Sequence, residues 1–281
     1  MSRADDILGE ADPFYFLDYA VFTGSIRQQA TKTLEEAFQR DQNPQNPIHQ
    51  RLHGFNLLKE EYAAYEDVGA MLDSFLEYRQ GDIGVPLARL INYGPGDVVL
   101  SRVFERHSIT SPEDLYAKLQ LDDWIPPKWA EWYPQLDLRK ALIFACRFFI
   151  ECGQTQNRVG VAAYNKIKHG LMIVPSARAY VGTLPDAPAA LIATPKELIA
   201  DGASPFSLAP IDIGETSTQA RYAIVEFAQC DLRLLAALYV TRRYPDFLKR
   251  RGIDDPQRLF ACQEFYDVRN LIAEVTLKKR L

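Results

Sequence analysis

The amino-acid sequence predicts a mainly α-helical protein, a helical bundle of four long helices with additional short helices and a small β-rich insert. Four segments of the 281-residue chain carry apolar residues at steps of three and four, which is the period of an amphipathic helix. Between residues 170 and 214 this period gives way to short apolar runs separated by prolines, which favours edge strands and turns. Long amphipathic helices bury their apolar stripes against one another, and this favours a bundle.

The four long helices are expected at residues 14–40, 48–79, 137–169 and 216–244. A breaker, Asn-Pro-Gln-Asn-Pro, separates the first two. Thr216 begins a capping box that opens the fourth helix, and Pro245 bends or ends it. In the third helix, Gly153 and Gly160 lie seven residues apart on one face. Close packing of a neighbouring helix is favoured there, and a groove is the alternative.

Shorter elements fill the rest of the sequence, with helices expected at residues 85–93, 97–107 and 256–281. Ser111 and Pro112 form a favourable helix start, because serine caps the helix and proline suits its first position. Residues 124–132 (WIPPKWAEW) are expected to form an aromatic loop that closes the open end of a core, with two prolines preventing a regular element. No domain boundary is expected. Residues 1–281 are therefore predicted to form one domain, with the β-rich insert at residues 170–214.

Composition and charge argue against several classes of protein. Hydrophobic residues make up 47% of the chain and charged residues 25%, which excludes wholesale disorder. The net charge of −5 argues against a dedicated duplex-DNA binder. The first residues lack the apolar region of a secretory signal, and no apolar stretch approaches the ~20 residues of a membrane span, so a cytoplasmic protein without a membrane partner is expected. The cysteines are expected to be buried, reduced thiols, namely Cys146, Cys152, Cys230 and Cys262.

Three polar patterns have both a chemical and a structural interpretation. His49 and His53 have the spacing of a zinc site, but a glutamine follows His49 where a catalytic glutamate would stand, so surface histidines are favoured and no metal or cofactor is expected. Glu66 and Asp73 lie two helical turns apart; acid–base chemistry is one interpretation, while solvation or pairing with a cation of a neighbouring helix is favoured. Residues 240–281 carry ten Lys/Arg against six Asp/Glu. These cations either attract phosphate or, as is favoured, complement helix C-termini.

The most distinctive segment is YNKIKHG at residues 164–170, where the third helix is expected to end. A glycine suits the position after a helix C-terminus, and basic side chains suit the free carbonyls there. Asn165 and His169 are one turn apart and share a face, and Arg158 lies eleven residues before His169 on that face. A helix cap, with Asn165 and His169 hydrogen-bonded to the insert, is the structural interpretation.

This segment resembles the motif of the HEPN superfamily, four-helix-bundle domains of prokaryotic defence, toxin and RNA-processing proteins. Active members carry Arg, often Asn, then three residues and His, and their dimers cleave RNA without metal. Asn165 matches the Asn and His169 the His, whereas Tyr164 stands in the Arg position. The resemblance implies a homodimer with an RNA or protein partner, and candidate catalytic residues His169, Asn165 and Arg158.

Two function hypotheses follow. The first is a non-enzymatic helical module for binding or regulation, a catalytically degenerate HEPN relative of defence or stress systems, because a tyrosine supplies no fixed positive charge for phosphate chemistry. The second is a metal-independent RNase that uses His169, with Arg158 or Lys166 as the cation. Arg158 is ~16 Å along the helix from His169 by helical rise.

Overall fold

The structure, a computed structural model, shows a mainly helical chain, as the sequence predicts. The residues that it describes are 12–40, 47–78, 84–92, 99–155, 164, 172–173, 189–193, 206–210, 215–253 and 256–260. The chain divides into two compact units. Unit 1 comprises residues 1–26, 65–154 and 226–281, and unit 2 comprises residues 27–64 and 155–225.

The α-helices that the structure describes along at least one turn of chain are, in order, α1 Phe14–Arg40, α2 Pro47–Leu76, α3 Gly84–Ile91, α4 Leu100–Arg106, α5 Pro112–Leu119, α6 Trp129–Trp132, α7 Leu138–Thr155, α8 Glu215–Arg243 and α9 Pro245–Arg250. Within the described ranges, 3₁₀ turns lie at Leu121–Trp124 and Pro256–Phe260. Helices α1, α2 and α8 begin and end within three residues of the predicted positions. The third long helix is described continuously only to Thr155, and the predicted last helix only in its first turn.

Local sequence signals explain how several helices begin. In α5, the Ser111 side chain accepts a hydrogen bond from the Asp114 backbone N–H at 3.1 Å, and Pro112 occupies the first turn. The aromatic loop expected at residues 124–132 is more regular than predicted, because it contains the one-turn helix α6. Trp129 N–H donates to the Pro126 carbonyl at 2.9 Å. The two prolines precede α6, where their missing N–H groups interrupt no helical hydrogen bond.

Unit 1 contains an aromatic core around the fully buried Tyr239 of α8. Its ring stacks on Phe75 at a centroid distance of 4.2 Å and meets Phe16 and Trp124 edge-on at 5.0 and 5.4 Å. Burial raises the pKa of Tyr239 far above its ordinary value, since a phenolate would lose its hydration there. These ring contacts join α1, α2 and α8 directly. Large buried rings of this kind contribute much of a core's apolar area.

Unit 2 contains the three strands of a small antiparallel sheet, which is ordered β1 Met172–Ile173, β2 Ala189–Ala193 and β3 Phe206–Pro210. Met172 pairs with Ala190, and Leu191 pairs with Leu208. Strand β3 ends at Pro210, which has no N–H to donate to a ladder. A proline at this place is compatible with an outer strand of the described sheet.

Gly153, Cys146 and Cys152 of α7 are buried, as the sequence predicts. A Cβ added at Gly153 would lie 2.7 Å from Cε2 of Phe104, so α4 approaches α7 closely at this glycine. Cys146, Cys152 and Cys230 are buried free thiols, and burial raises the pKa of Cys146 to about 12. Gly160 and Cys262 lie outside the described residues.

None of the helices in the described ranges is long and apolar enough to cross a membrane.

We predict that Gly153→Leu lowers the free energy of unfolding by about 1–3 kcal/mol, because the new side chain overpacks the contact with Phe104. Urea unfolding followed by circular dichroism measures the change. The matched control is Gln154→Leu at the next, exposed position of α7. Equal stability of the two variants would contradict the close packing of α4 on α7.

Candidate functional site

The candidate catalytic residues Arg158, Asn165 and His169 all lie outside the described residues, so the geometry of that site stays a prediction. Their neighbour Tyr164 is described. It is helical and only 3% exposed. Tyr164, the one described residue of the segment 164–170, is therefore part of the interior of unit 2.

Tyr164 packs against Tyr62 of α2 in the same unit. The two rings are nearly parallel, 16° apart, with their centroids separated by 5.1 Å. Burial, and secondarily the neighbouring charge of Glu61, raises the pKa of Tyr62 to about 12, so its phenol stays protonated at neutral pH. Stacked aromatic rings of this kind contribute packing energy beyond their buried area.

Ion pairs of low exposure accompany this stack in unit 2. Arg221 Nε lies 2.9 Å from Glu61 Oε2, and Arg27 Nη1 donates to Glu60 Oε2 at 3.0 Å. All four side chains are about four-fifths buried or more. Each of these two arginines therefore has a carboxylate partner within its own unit.

The strongest polar cluster of the described residues is in unit 1, around the carboxylate of Asp73 near the end of α2. Asp73 is 1% exposed. Its Oδ2 accepts a hydrogen bond from Arg89 Nε of α3, and its Oδ1 accepts one from Arg106 Nη1 of α4 at 2.6 Å. His107 Nε2 lies 2.9 Å from the same Oδ1. These four residues are called the Asp73 cluster below.

The electrostatics of the Asp73 cluster favour a permanently charged carboxylate. Burial by itself would raise the pKa of Asp73, but hydrogen bonds from His107, Arg89 and Arg106 together lower it below the ordinary value of 3.8. An ionised carboxylate only accepts hydrogen bonds, so His107 must carry a proton on Nε2. The two arginines are about one-third exposed, which leaves part of their guanidinium groups in water.

The Asp73 cluster is a structural ion pair more than a catalytic acid or base. Both of its carboxylate oxygens already accept hydrogen bonds, and its pKa is too low for proton uptake at neutral pH. Of the alternatives for the Glu66–Asp73 pattern, pairing with cations of neighbouring helices is therefore confirmed for Asp73. The sequence did not identify the three partners, because they are 16, 33 and 34 residues away along the chain.

Of the two histidines of the predicted pattern, the structure describes the side chain of one only. His53 is half-buried on α2, and the side chain of His49 lies outside the described side chains. No group of three or more potential ligands among His, Cys, Asp and Glu comes together in the described ranges.

An open cavity of about 800 Å³ lies in unit 1, between the aromatic segment 123–132 and the C-terminal end of α8. Its lining residues include the buried Trp124, the half-buried Trp132 and the exposed Lys128 and Arg242. A volume of this size is typical of small-molecule sites. The cavity, rather than the Asp73 cluster, thus provides accessible space beside polar and aromatic groups.

Comparison with family models, with curated proteins and with solved structures finds no match for this chain.

We predict that Asp73→Asn lowers the free energy of unfolding at pH 7 by about 3 kcal/mol, because removal of the carboxylate leaves the partly buried cations around it uncompensated. Asp137→Asn is the control. Asp137 is an exposed acid that pairs with Lys140 and caps α7, and asparagine caps equally well. If Asp73→Asn lowers the free energy of unfolding no more than Asp137→Asn does, the result contradicts a stabilising role for the cluster.

The parent and the Asp73→Asn variant also test whether the pKa of Asp73 is lowered in the folded protein. The folded-state pKa of Asp73 is lowered, so its contribution is present above the ordinary value of 3.8 and is lost as pH falls through the folded pKa. The stability difference between the parent and Asp73→Asn should therefore shrink between pH 5 and pH 2. Urea unfolding at several pH values measures it, and a difference that widens on acidification would contradict the lowered pKa.

Proposed function

We propose that this chain is a helical binding or regulatory protein, related to HEPN domains of defence or stress systems, that does not cleave RNA. In this proposal the long helices form a four-helix bundle, residues 170–214 form a β-rich insert, and the protein acts in the cytoplasm as a homodimer with an RNA or protein partner. The mainly helical fold is compatible with the proposal.

The observation that carries the non-catalytic part is the position of Tyr164. A metal-independent RNase needs a fixed positive charge at the reacting phosphate. The Arg position of the motif instead holds an aromatic ring that is 3% exposed and stacked on Tyr62. A side chain buried in this way packs the unit and does not reach a substrate.

An exposed apolar stripe on α1 supports a partner. Tyr15, Phe22 and Ile26 are 51%, 65% and 67% exposed, and their spacing of seven and four places them on one face of the helix. Large apolar side chains grouped on a surface are typical of interaction sites. The stripe lies in unit 1 and is compatible with an interface between two copies of the chain.

We predict that the purified protein does not cleave single-stranded RNA in EDTA, and that His169→Ala leaves this result unchanged. The substitution should lower the free energy of unfolding by on the order of 1 kcal/mol, through loss of hydrogen bonds and charge–dipole contact at a helix end. A 5′-labelled RNA oligonucleotide resolved on a denaturing gel measures cleavage, and thermal melting compares stability.

His49→Ala is the matched control, since it removes a histidine outside the segment 164–170. The proposal fails if the parent and His49→Ala cleave the RNA and His169→Ala does not. Loss of a histidine acid or base typically lowers a rate by ~10²–10⁴, so such a difference is readily measured. That outcome establishes the RNase alternative.

The homodimer is tested by sedimentation equilibrium. We predict that the parent sediments as a dimer and that Phe22→Ser shifts it toward the monomer, because the substitution removes a large apolar side chain from the stripe on α1. Ile91→Ser on α3 is the control, since Ile91 is similarly exposed, at 62%, but lies on another helix. A monomeric parent, or equal dissociation of both variants, is the contrary result.

A further inference from the structure

We propose that the cavity between residues 123–132 and the end of α8 binds a small planar aromatic anion, a molecule that combines a ring with a carboxylate or phosphate group. This inference rests on the proposed binding role and names a ligand class for it, but it does not depend on the resemblance of the segment 164–170.

The walls of the cavity suit a flat ring. The lining residues include Trp132 and Pro245, which are at least partly accessible, and Trp124 and Pro126, which are buried. Trp124 is held by the aromatic core, with its ring edge-on to Phe75 at 5.5 Å. Trp132 is only half-buried, so part of its indole is accessible. The face of an aromatic side chain stacks on a planar ligand whichever ring the ligand carries.

The charges on the cavity wall suit an anion. Lys128 and Arg242 both line it and are exposed, against one acid, Asp123. Arg242 is the next-to-last residue of α8, and the last, Arg243, donates from Nη2 to Gln120 Oε1. Lys128 and Arg242 themselves form no ion pair with any residue in the described ranges. An arginine fork binds carboxylate or phosphate through two parallel hydrogen bonds.

Two hydrogen-bonding groups of the cavity wall are buried without a partner among the described residues, Trp124 Nε1 and Thr241 Oγ1. Trp129, five residues later, shows the usual arrangement, because its Nε1 donates to the Leu136 carbonyl at 3.1 Å. Buried polar groups are normally paired. Neither atom has accessible surface, so both lie behind the accessible face of the cavity wall, whose exposed groups include Lys128, Arg242 and part of Trp132.

The presence of both a ring and cations on the cavity wall selects the ligand class. Rings alone would suit a neutral apolar molecule, and cations alone would suit inorganic phosphate. A partly accessible ring and two cations that form no ion pair within the described ranges line a cavity of about 800 Å³. This wall suits a molecule of up to nucleotide size that carries both features. A nucleoside monophosphate and an aromatic carboxylate share this chemistry.

The test is calorimetric titration of the full chain with adenosine 5′-monophosphate and, separately, with phenylacetate. The neutral counterparts are adenosine and phenylacetamide. The sequence has three tryptophans, Trp124, Trp129 and Trp132, all in or beside the cavity segment. Intrinsic tryptophan fluorescence therefore gives a second, local readout of binding.

We expect at least one of the two anions to bind with one molecule per chain, and its neutral counterpart to bind at least about tenfold more weakly. Arg242→Gln should weaken binding of the anion about tenfold, while Arg147→Gln, which removes an exposed charge on α7 outside the cavity, should not. Trp132→Leu should also weaken binding about tenfold, through loss of stacking. Binding of only one anion distinguishes phosphate from carboxylate.

The proposal is overturned if neither anion binds at millimolar concentration, if the neutral compounds bind equally well, or if Arg242→Gln and Arg147→Gln bind the anion like the parent. Lys128→Gln serves in place of Arg242→Gln should the latter fail to fold by circular dichroism. Absence of anion binding would leave the RNA-cleavage result untouched. RNA cleavage by the parent would overturn the proposed function and leave anion binding in place.

Discussion

The buried carboxylate of Asp73 is the constraint on which much of unit 1 depends. A charged group that is 1% exposed is tolerated only where cations and hydrogen-bond donors compensate its lost hydration. Arg89, Arg106 and His107 provide this compensation from α3 and from the end of α4. Because the three donors have to converge on two oxygen atoms, both short helices are held in place beside the end of α2.

The aromatic core begins two residues after that carboxylate. Phe75 stacks on Tyr239, and Trp124 meets both rings edge-on. Trp124 is also part of the cavity wall, so one side chain belongs to the core and to the candidate ligand site. A site whose wall is fixed by the core loses little conformational freedom on binding, and such preorganisation favours affinity.

In unit 2, the structure shows that Tyr164 is a packing residue. From sequence, Tyr164 is a departure from a catalytic pattern at a position where a relative would carry an arginine. In the structure its ring is stacked on Tyr62. A buried ring at this position contributes apolar packing and no positive charge for binding phosphate. The non-catalytic proposal follows from this change, while the placement of Arg158, Asn165 and His169 stays a prediction.

The sequence by itself determined the mainly helical character, the bounds of α1, α2 and α8 within a few residues, the cap of α5 by Ser111 and the burial of three cysteines. These features depend on neighbours within one or two helical turns, so a single chain segment carries the information. The sequence pattern predicts a loop in place of the one-turn helix α6, because Pro126 and Pro127 are typical helix breakers. In the structure they come just before the helix begins. Only the tertiary structure decided the partners of Asp73, the stack of Tyr62 on Tyr164 and the cavity beside Trp124. Each of these joins residues far apart in the chain, and such contacts are selected by packing and by compensation of buried charge, which no local pattern encodes.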